Sequence, residues 1–279
     1  MLKWARANGC PWDAGTCEAA ATEGHFEILK WAHENGRPWD DLTCYCATAY
    51  GDFNILKWAR EKGCPWDKMT CEIAAHNGDF KMLKWARANG CPWDSGVCTA
   101  AAEQGHFEIL KWARANGCRW YEQRVCEHAA RNGHFDILKW ARENGCQWDQ
   151  NTCSAAAEGG HFEILKWARE SGCPWTGAIC FQAARNGHFK MLKWAHENGC
   201  PWDNRTCPNA AKGGHLDILK FALENGCPCN ASLLASAAAE SGCSAVQEYV
   251  RDNICPEDLS KVCTSVVSLG YCYRTYRRK

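Results

Sequence analysis

From Thr16 to Asp40 the chain reads T-C-E-A-A-A-T-E-G-H-F-E-I-L-K-W-A-H-E-N-G-R-P-W-D, and variants of this phrase return along most of the 279 residues. Its Leu-Lys-Trp recurs with the tryptophan at Trp4, Trp31, Trp58, Trp85, Trp112, Trp140, Trp167 and Trp194, and Phe221 stands next in line. The step is 27 residues, except for one of 28 between Trp112 and Trp140, where Glu122-Gln123-Arg124 is read as filling a longer loop. A second column holds Trp12, Trp39, Trp66, Trp93, Trp120, Trp148, Trp175 and Trp202, so the two columns account for all 16 tryptophans. Cysteine keeps the same step. One column runs through Cys17, Cys44, Cys71, Cys98, Cys126, Cys153, Cys180 and Cys207; the other runs through Cys10, Cys64, Cys91, Cys118, Cys146, Cys173, Cys200 and Cys227, interrupted by Arg37. A fixed internal period points to a repeat array, which also explains the unusual Cys and Trp content.

Within one unit the spacing predicts two short helices. Counting from the column cysteine as position 0, small residues fall at +3 and usually +4, and Gly at +7, which is one face of a helix. Thr16 is read as its N-cap, because a hydroxyl there can accept from an orphan amide. His25, or Asp52 and Asp79 in its place, opens a second helix whose apolar side is Phe26, Ile28, Leu29 and Trp31. Asn35-Gly36 ends that helix, glycine tolerating the left-handed C-cap, and Pro38 blocks continuation. Helices of about ten residues are marginal alone in water. One unit cannot bury its own apolar face, but stacked neighbours can. The expected fold class is all-α, a solenoid of stacked helix–turn–helix repeats.

The run Ala129-Ala130-Arg131-Asn132-Gly133-His134-Phe135-Asp136-Ile137-Leu138-Lys139 resembles the junction between the two helices of an ankyrin repeat. Gly-Cys-Pro-Trp-Asp then stands where that family carries Gly-Ala-Asp-Val-Asn. By this resemblance the column cysteines replace a buried Leu and a buried Ala, and the loop Trp replaces a buried Val. The likeness extends over about residues 1–258, with departures. Ankyrin repeats have about 33 residues and a T-P-L-H motif, both missing here. The shortfall lies between Trp-Asp and Thr-Cys, where ankyrins build a β-hairpin finger, so a finger-less variant is expected. Tetratricopeptide repeats, at roughly 34 residues, need longer helices than this period allows.

The register divides the chain into a half repeat at 1–13, eight repeats over 14–230, a degenerate repeat at 231–258, and a capping helix with a basic tail at 259–279. Met1 falls in the column of Met82 and Met191, in the middle of a second helix. It is therefore read as an internal methionine of a longer array. Lys+Arg and Asp+Glu both total 32, so the formal charge is zero and nothing favours a nucleic-acid partner. No apolar run approaches the roughly 18 residues of a membrane span, and residues 1–11 carry charges where a signal peptide would be apolar. The expectation is an intracellular chain, cytoplasmic or nuclear, without a membrane partner.

The cysteines are the most tempting chemistry. No C-x-x-C knuckle is present, and no histidine stands at a fixed distance from the recurrent spacing of seven between Cys10 and Cys17. Neighbours within a column should lie near 10 Å apart, beyond the roughly 7 Å Cα limit of a disulfide, whereas Cys64 and Cys71 could meet across columns. Buried thiols acting as small hydrophobes are the simplest reading. The histidines at 25, 106, 134, 161, 188 and 215 are read as helix openers, and the lysine of each Leu-Lys-Trp as one end of a weak pair such as Lys30–Glu34 or Lys139–Glu143. Every titratable column is periodic, whereas an active site needs a unique cluster. No catalytic, cofactor or metal residue is assigned, no cofactor is expected, and the chain is not read as an enzyme.

What varies between units is informative. Positions +1, +2, +5 and +6 from the cysteine change most, opposite the constant face at 0, +3, +4 and +7. They supply the candidate partner-binding residues Tyr45, Tyr50, Ile73, His76, His128, Arg131, Phe181 and Arg185. In ankyrins, the resemblance implies, that surface lines the concave groove where partners lie. The expected function is a protein–protein interaction scaffold with another protein as partner. The alternative is a cysteine-rich redox or metal-binding protein.

Overall fold

The computed structural model describes Asn8 and residues 15–120 and 122–254. The half repeat at 1–13, the start at Met1, and the capping helix and tail at 259–279 lie outside the described residues. Every regular element among them is an α-helix, and none is long and apolar enough to cross a membrane. They fall into two compact units, one ending at Gln147 and one beginning at Trp148.

In the first unit the helices alternate between first and second members of a pair. They are α1 (Gly15–Thr22) with α2 (Phe26–Glu34), α3 (Asp41–Ala49) with α4 (Phe53–Glu61), and α5 (Lys68–His76) with α6 (Phe80–Ala88). Next come α7 (Gly96–Gln104) with α8 (Phe107–Ala115) and α9 (Glu122–Arg131) with α10 (Phe135–Glu143). The second unit pairs α11 (Gln150–Gly159) with α12 (Phe162–Glu170) and α13 (Ala178–Arg185) with α14 (Phe189–Glu197). It continues with α15 (Thr206–Lys212) and α16 (Leu216–Glu224), then α17 (Ala231–Glu240) and α18 (Ser244–Asn253). Within a unit each first helix packs on the next first helix and on its own second helix. Fully buried Ala47, Ala74, Ala75 and Ala101 allow this close backbone approach. The second helices are spaced by larger side chains, with Leu29, Leu56, Leu83 and Leu110 fully buried.

The first helices start earlier than the Thr16 reading expects. Asp40, Asp67 and Asp149, the aspartates of Trp-Asp, are the N-caps, accepting from the amides of Leu42, Met69 and Asn151 at 3.1, 2.8 and 2.9 Å. A carboxylate answers the helix dipole better than a hydroxyl does. The threonine column is drawn inside the helix, where Thr43, Thr70, Thr152 and Thr206 are buried, and Thr16 likewise lies within α1. Glu122-Gln123-Arg124 is no loop either but the first turn of α9, consistent with three good helix formers in a row.

The ends of the second helices follow expectation. Asn35 Nδ2 donates to the Trp31 carbonyl at 2.8 Å, and Gly36 takes φ 73°. Among the described residues no connection contains a strand, so none of them builds the finger.

Both tryptophan columns are explained by one contact. Trp58, Trp85, Trp112, Trp140 and Trp194 each stand edge-on to two rings of the preceding pair. Trp58 meets Phe26 at 5.5 Å and loop Trp39 at 5.6 Å; Trp85 meets Phe53 at 5.5 Å and Trp66 at 5.7 Å. In the second unit Trp194 meets Phe162 at 5.6 Å and Trp175 at 5.9 Å. Each such pair contributes about 0.5–1.5 kcal/mol beyond its buried area. The loop ring is held from the other side by the second-helix arginine: Arg60 lies 4.0 Å over Trp66 and also donates to the Cys64 carbonyl. His33 replaces that arginine by stacking on Trp39 at 4.0 Å. Lys193 pairs with Glu197 at 3.9 Å as the spacing implies, whereas Lys30, Lys111 and Lys166 turn back to the glutamate three residues earlier. Lys30 lies 2.8 Å from Glu27 and 4.1 Å over the Phe26 ring.

Candidate interaction surface

The face at +1, +2, +5 and +6 of the first helices points away from the stacked core. In α3, Cys44, Ala47 and Thr48 are sealed, while Tyr45 is half-buried and Tyr50, the C-cap, is 66 % exposed. On the adjoining α5, Ile73 is half-buried and His76 exposed, so these four candidates share two neighbouring helices. Tyr50 also lines a shallow hollow with Glu23, Gly24, Asp52 and Asn54.

His128 and Arg131 are on α9, separated from that group by α7. Both are half-buried and sit among carboxylates. His128 Nδ1 lies 3.8 Å from Glu103 of α7, and Arg131 pairs with Glu127 at 3.0 Å. Phe181 and Arg185 belong to α13 in the second unit. There Arg185 is exposed, and the Phe181 ring is covered in part by the Arg205 guanidinium at 4.4 Å, itself held by Asp203 at 2.8 Å.

Sequence reasoning passed over the acidic members of this face. Glu72 on α5 is half-buried, and burial followed by the neighbouring Asp94 carboxylate pushes its carboxyl above the ordinary range. Glu103 and Glu127 are equally part of the surface. Their positions, +1 and +5, are the signal that marks them. The surface is therefore mixed, with aromatic and aliphatic side chains beside ion-paired cations and carboxylates. It can offer apolar contact, hydrogen bonds and charge to a partner.

The histidines at the helix junctions do more than open α8 and α10. His106 and His134 make no side-chain bond to their own helix. The imidazole Nε2–H of His106 donates to the His76 carbonyl at the end of the preceding first helix, at 3.0 Å, and His134 does the same to Glu103. Each ring thus ties one pair to the next. Where Asp79 takes the histidine's place, it caps its own helix through the Met82 amide at 2.8 Å. There Asn77 supplies the tie instead, donating to the Ala49 carbonyl at 2.9 Å.

The cysteines of the described residues are free thiols, and the column members are buried. They pair in a way the spacing of seven does not suggest. The partners are 20 residues apart, one on a first helix and one in the loop that ends the same unit. Cys126 donates to Cys146 at 3.0 Å, and hydrogen bonds likewise join Cys44 to Cys64, Cys71 to Cys91 and Cys180 to Cys200. The loop thiol passes its own hydrogen to the loop before it, Cys64 to the Asp40 carbonyl at 3.2 Å and Cys91 to Asp67 at 3.2 Å. The partner hydrogen bond, reinforced by burial, pushes the thiols of Cys44, Cys71, Cys98, Cys153 and Cys180 well above the usual range. Cys17, whose loop partner is replaced by Arg37, is pushed up to about 11 by burial, with Arg37 acting against it. Among the described residues no group of three or more His, Cys, Asp or Glu is placed to hold a metal ion.

Comparison with known proteins gives three findings. The family model described as "Ankyrin repeats (many copies)" matches residues 17–60 and 98–142. No curated protein matches the chain. Among solved structures, the crystal structure of the human ASB11 ankyrin repeat domain is similar with a TM-score of 0.45 and 16 % sequence identity, covering 56 % of this chain and 83 % of that one.

Proposed function

We propose that this chain is an ankyrin-type repeat scaffold holding another protein against the first-helix face, a reading supported by the match of residues 17–60 and 98–142 to the ankyrin-repeat family model. Ankyrin repeats generally serve as protein–protein interaction modules. One observation carries the choice of face. In α3, α5, α9 and α13 the constant positions 0, +3 and +4 are sealed, while the positions that differ between units are open or half-open and carry Tyr45, Tyr50, Ile73, His76, His128 and Arg131 in one unit and Phe181 and Arg185 in the other. Tyr and Arg are the types that dominate interface energetics, with truncations at hot spots costing about 2 kcal/mol or more. The second-helix face is a poorer candidate, because its Lys and Arg heads are already laid over Phe and Trp rings.

The experiment is to capture a binding protein with the full chain and then change Tyr45, Tyr50, Arg131 and Phe181 together to Ala. Binding should fall by at least about tenfold, since two modest contacts exceed 1.4 kcal/mol. The helical spectrum should be unchanged. Binding that survives this variant but is lost with Lys139→Ala and Glu143→Ala places the partner on the other face.

A further inference from the structure

Among the described residues large apolar side chains stand open to solvent at Leu42, Tyr50, Met69 and Leu233, and the first three belong to two neighbouring helices. Leu42 and Met69 hold the same place in their units, two residues before the column cysteines Cys44 and Cys71. From Leu42 the face of α3 runs on through half-buried Tyr45 and Cys46, three and four residues later. From Met69 the face of α5 runs on to half-buried Ile73, four residues later. Those spacings put the side chains of each helix on one side. α3 packs on α5, so the two rows lie next to each other as one apolar strip. The flanking helices end it, since the places of Leu42 and Cys46 hold Gly15 and Ala19 on α1, and Gly96 and Ala100 on α7.

The border of the strip is acidic. α1 and α3 carry Glu18 and Asp41 and no lysine or arginine. α5 carries Glu72 beside Lys68, whose ammonium is held by Asp94 at 2.6 Å. The turns after α1 and α3 add Glu23 and Asp52, which line a shallow hollow with the Tyr50 ring and the backbone of Gly24 and Gly51. Asp52 is spent on capping α4 through the amides of Asn54 and Ile55, whereas Glu23 is exposed at the rim. An aromatic face beside a carboxylate suits an ammonium or guanidinium group.

We propose that α3 and α5 are the primary docking site of the scaffold and that its partner is a protein segment whose bulky apolar side chains are flanked by Lys or Arg, one cation lying between Tyr50 and Glu23. This rests on the scaffold reading above and narrows it. The strip supplies the apolar contact and the border selects the partner, because a segment flanked by Asp or Glu meets like charge there. In the second unit Leu233 is the only exposed large apolar side chain among the described residues, and the variable positions of α13 and α15 carry Arg185 and Lys212.

The test pans a random-peptide display library on the full chain and titrates the selected peptides by fluorescence anisotropy. They should combine bulky apolar residues with Lys or Arg, and their affinity should fall as salt is raised. Leu42→Ser together with Met69→Ser should weaken binding at least about tenfold, whereas Leu233→Ser should change it by less than about twofold. Glu23→Lys should weaken it about threefold or more. Helix content should be unchanged in all of them, since each replaced side chain is exposed. Acidic peptides, peptides indifferent to the Leu42 and Met69 changes, or no selected peptide at all overturn the proposal. If the indifferent peptides are lost with Phe181→Ala and Arg185→Ala, the scaffold reading stands and only its centre moves. If they are lost with Lys139→Ala and Glu143→Ala, the scaffold face is wrong as well.

Discussion

Changing Gly105 to Ala should cost far more than changing Gly90 to Ala, although both glycines are left-handed, at φ 79° and 83°. A side chain in that region costs about 1 kcal/mol from the backbone alone. At Gly90 nothing lies within 4 Å of the added Cβ, so that is the whole expected effect. At Gly105 the Cβ would stand 2.6 Å from Cε1 of His134, whose ring is held by its 3.0 Å bond to the Glu103 carbonyl. The imidazole can swing away only by giving up that bond and leaving a helix-end carbonyl short of a donor, at about 1–3 kcal/mol. The total for Gly105→Ala is then about 2–4 kcal/mol. Urea unfolding followed by tryptophan fluorescence reads both variants, and a double-mutant cycle with His134→Ala isolates the coupling. In the His134→Ala background the Gly105→Ala cost should shrink toward that of Gly90→Ala. Equal costs for the two glycines, or a cycle that is additive, would refute the reasoning that the ring ties successive pairs together.

Alkaline pH should destabilise the fold before lysines lose their charge. The folded Cys17 thiol is held up to about 11 against an ordinary 9.0, and Cys44 is shifted in the same direction. The unfolded thiols ionise first, so stability is full below about pH 9 and falls as pH rises toward the folded values. A urea midpoint that stays level from pH 8 to 10.5 contradicts this. Trp112→Ala removes the edge contacts to Phe80 at 5.6 Å and Trp93 at 5.5 Å. It should cost about 3 kcal/mol in the same assay, the low end for aromatic truncation because the ring is half-buried. Lys111→Ala, next to it, loses only an exposed pair with Glu108 and a cation–π contact with Phe107 at 4.7 Å, and should stay within about 1 kcal/mol.

The phase of the repeat was readable because apolar side chains, the Asn-Gly stop and the small residues all recur together. Helix pairing, the missing finger and the sealed faces follow from it. Three things were hidden for a common reason, namely that they depend on contacts between units or on competition between adjacent groups. The threonine column looks like a row of caps until the aspartate three residues earlier, as Asp40 before Thr43, is seen to take that place. The position of His106 marks a helix start, but nothing in one unit says that its ring reaches back to the preceding one. The thiol pairs are 20 residues apart, which no helical period brings together; only the return of the loop beneath the first helix does. Tyr45 and Ile73 could be placed on an open face by period alone, whereas the approach of Glu103 to His128 needed the position of α7.

Side-chain footprinting of the complex tests the scaffold reading most directly. Hydroxyl radicals label Tyr50, 66 % exposed, together with Tyr45, His76 and Phe181 on the first helices. They also label the half-buried rings Phe53, Trp66 and Trp85 that flank the second helices. Saturation with the captured partner should lower labelling at Tyr45, Tyr50 and His76 and leave Phe53, Trp66 and Trp85 unchanged. Protection of those three rings, with Tyr50 still labelled as in the free chain, would contradict it.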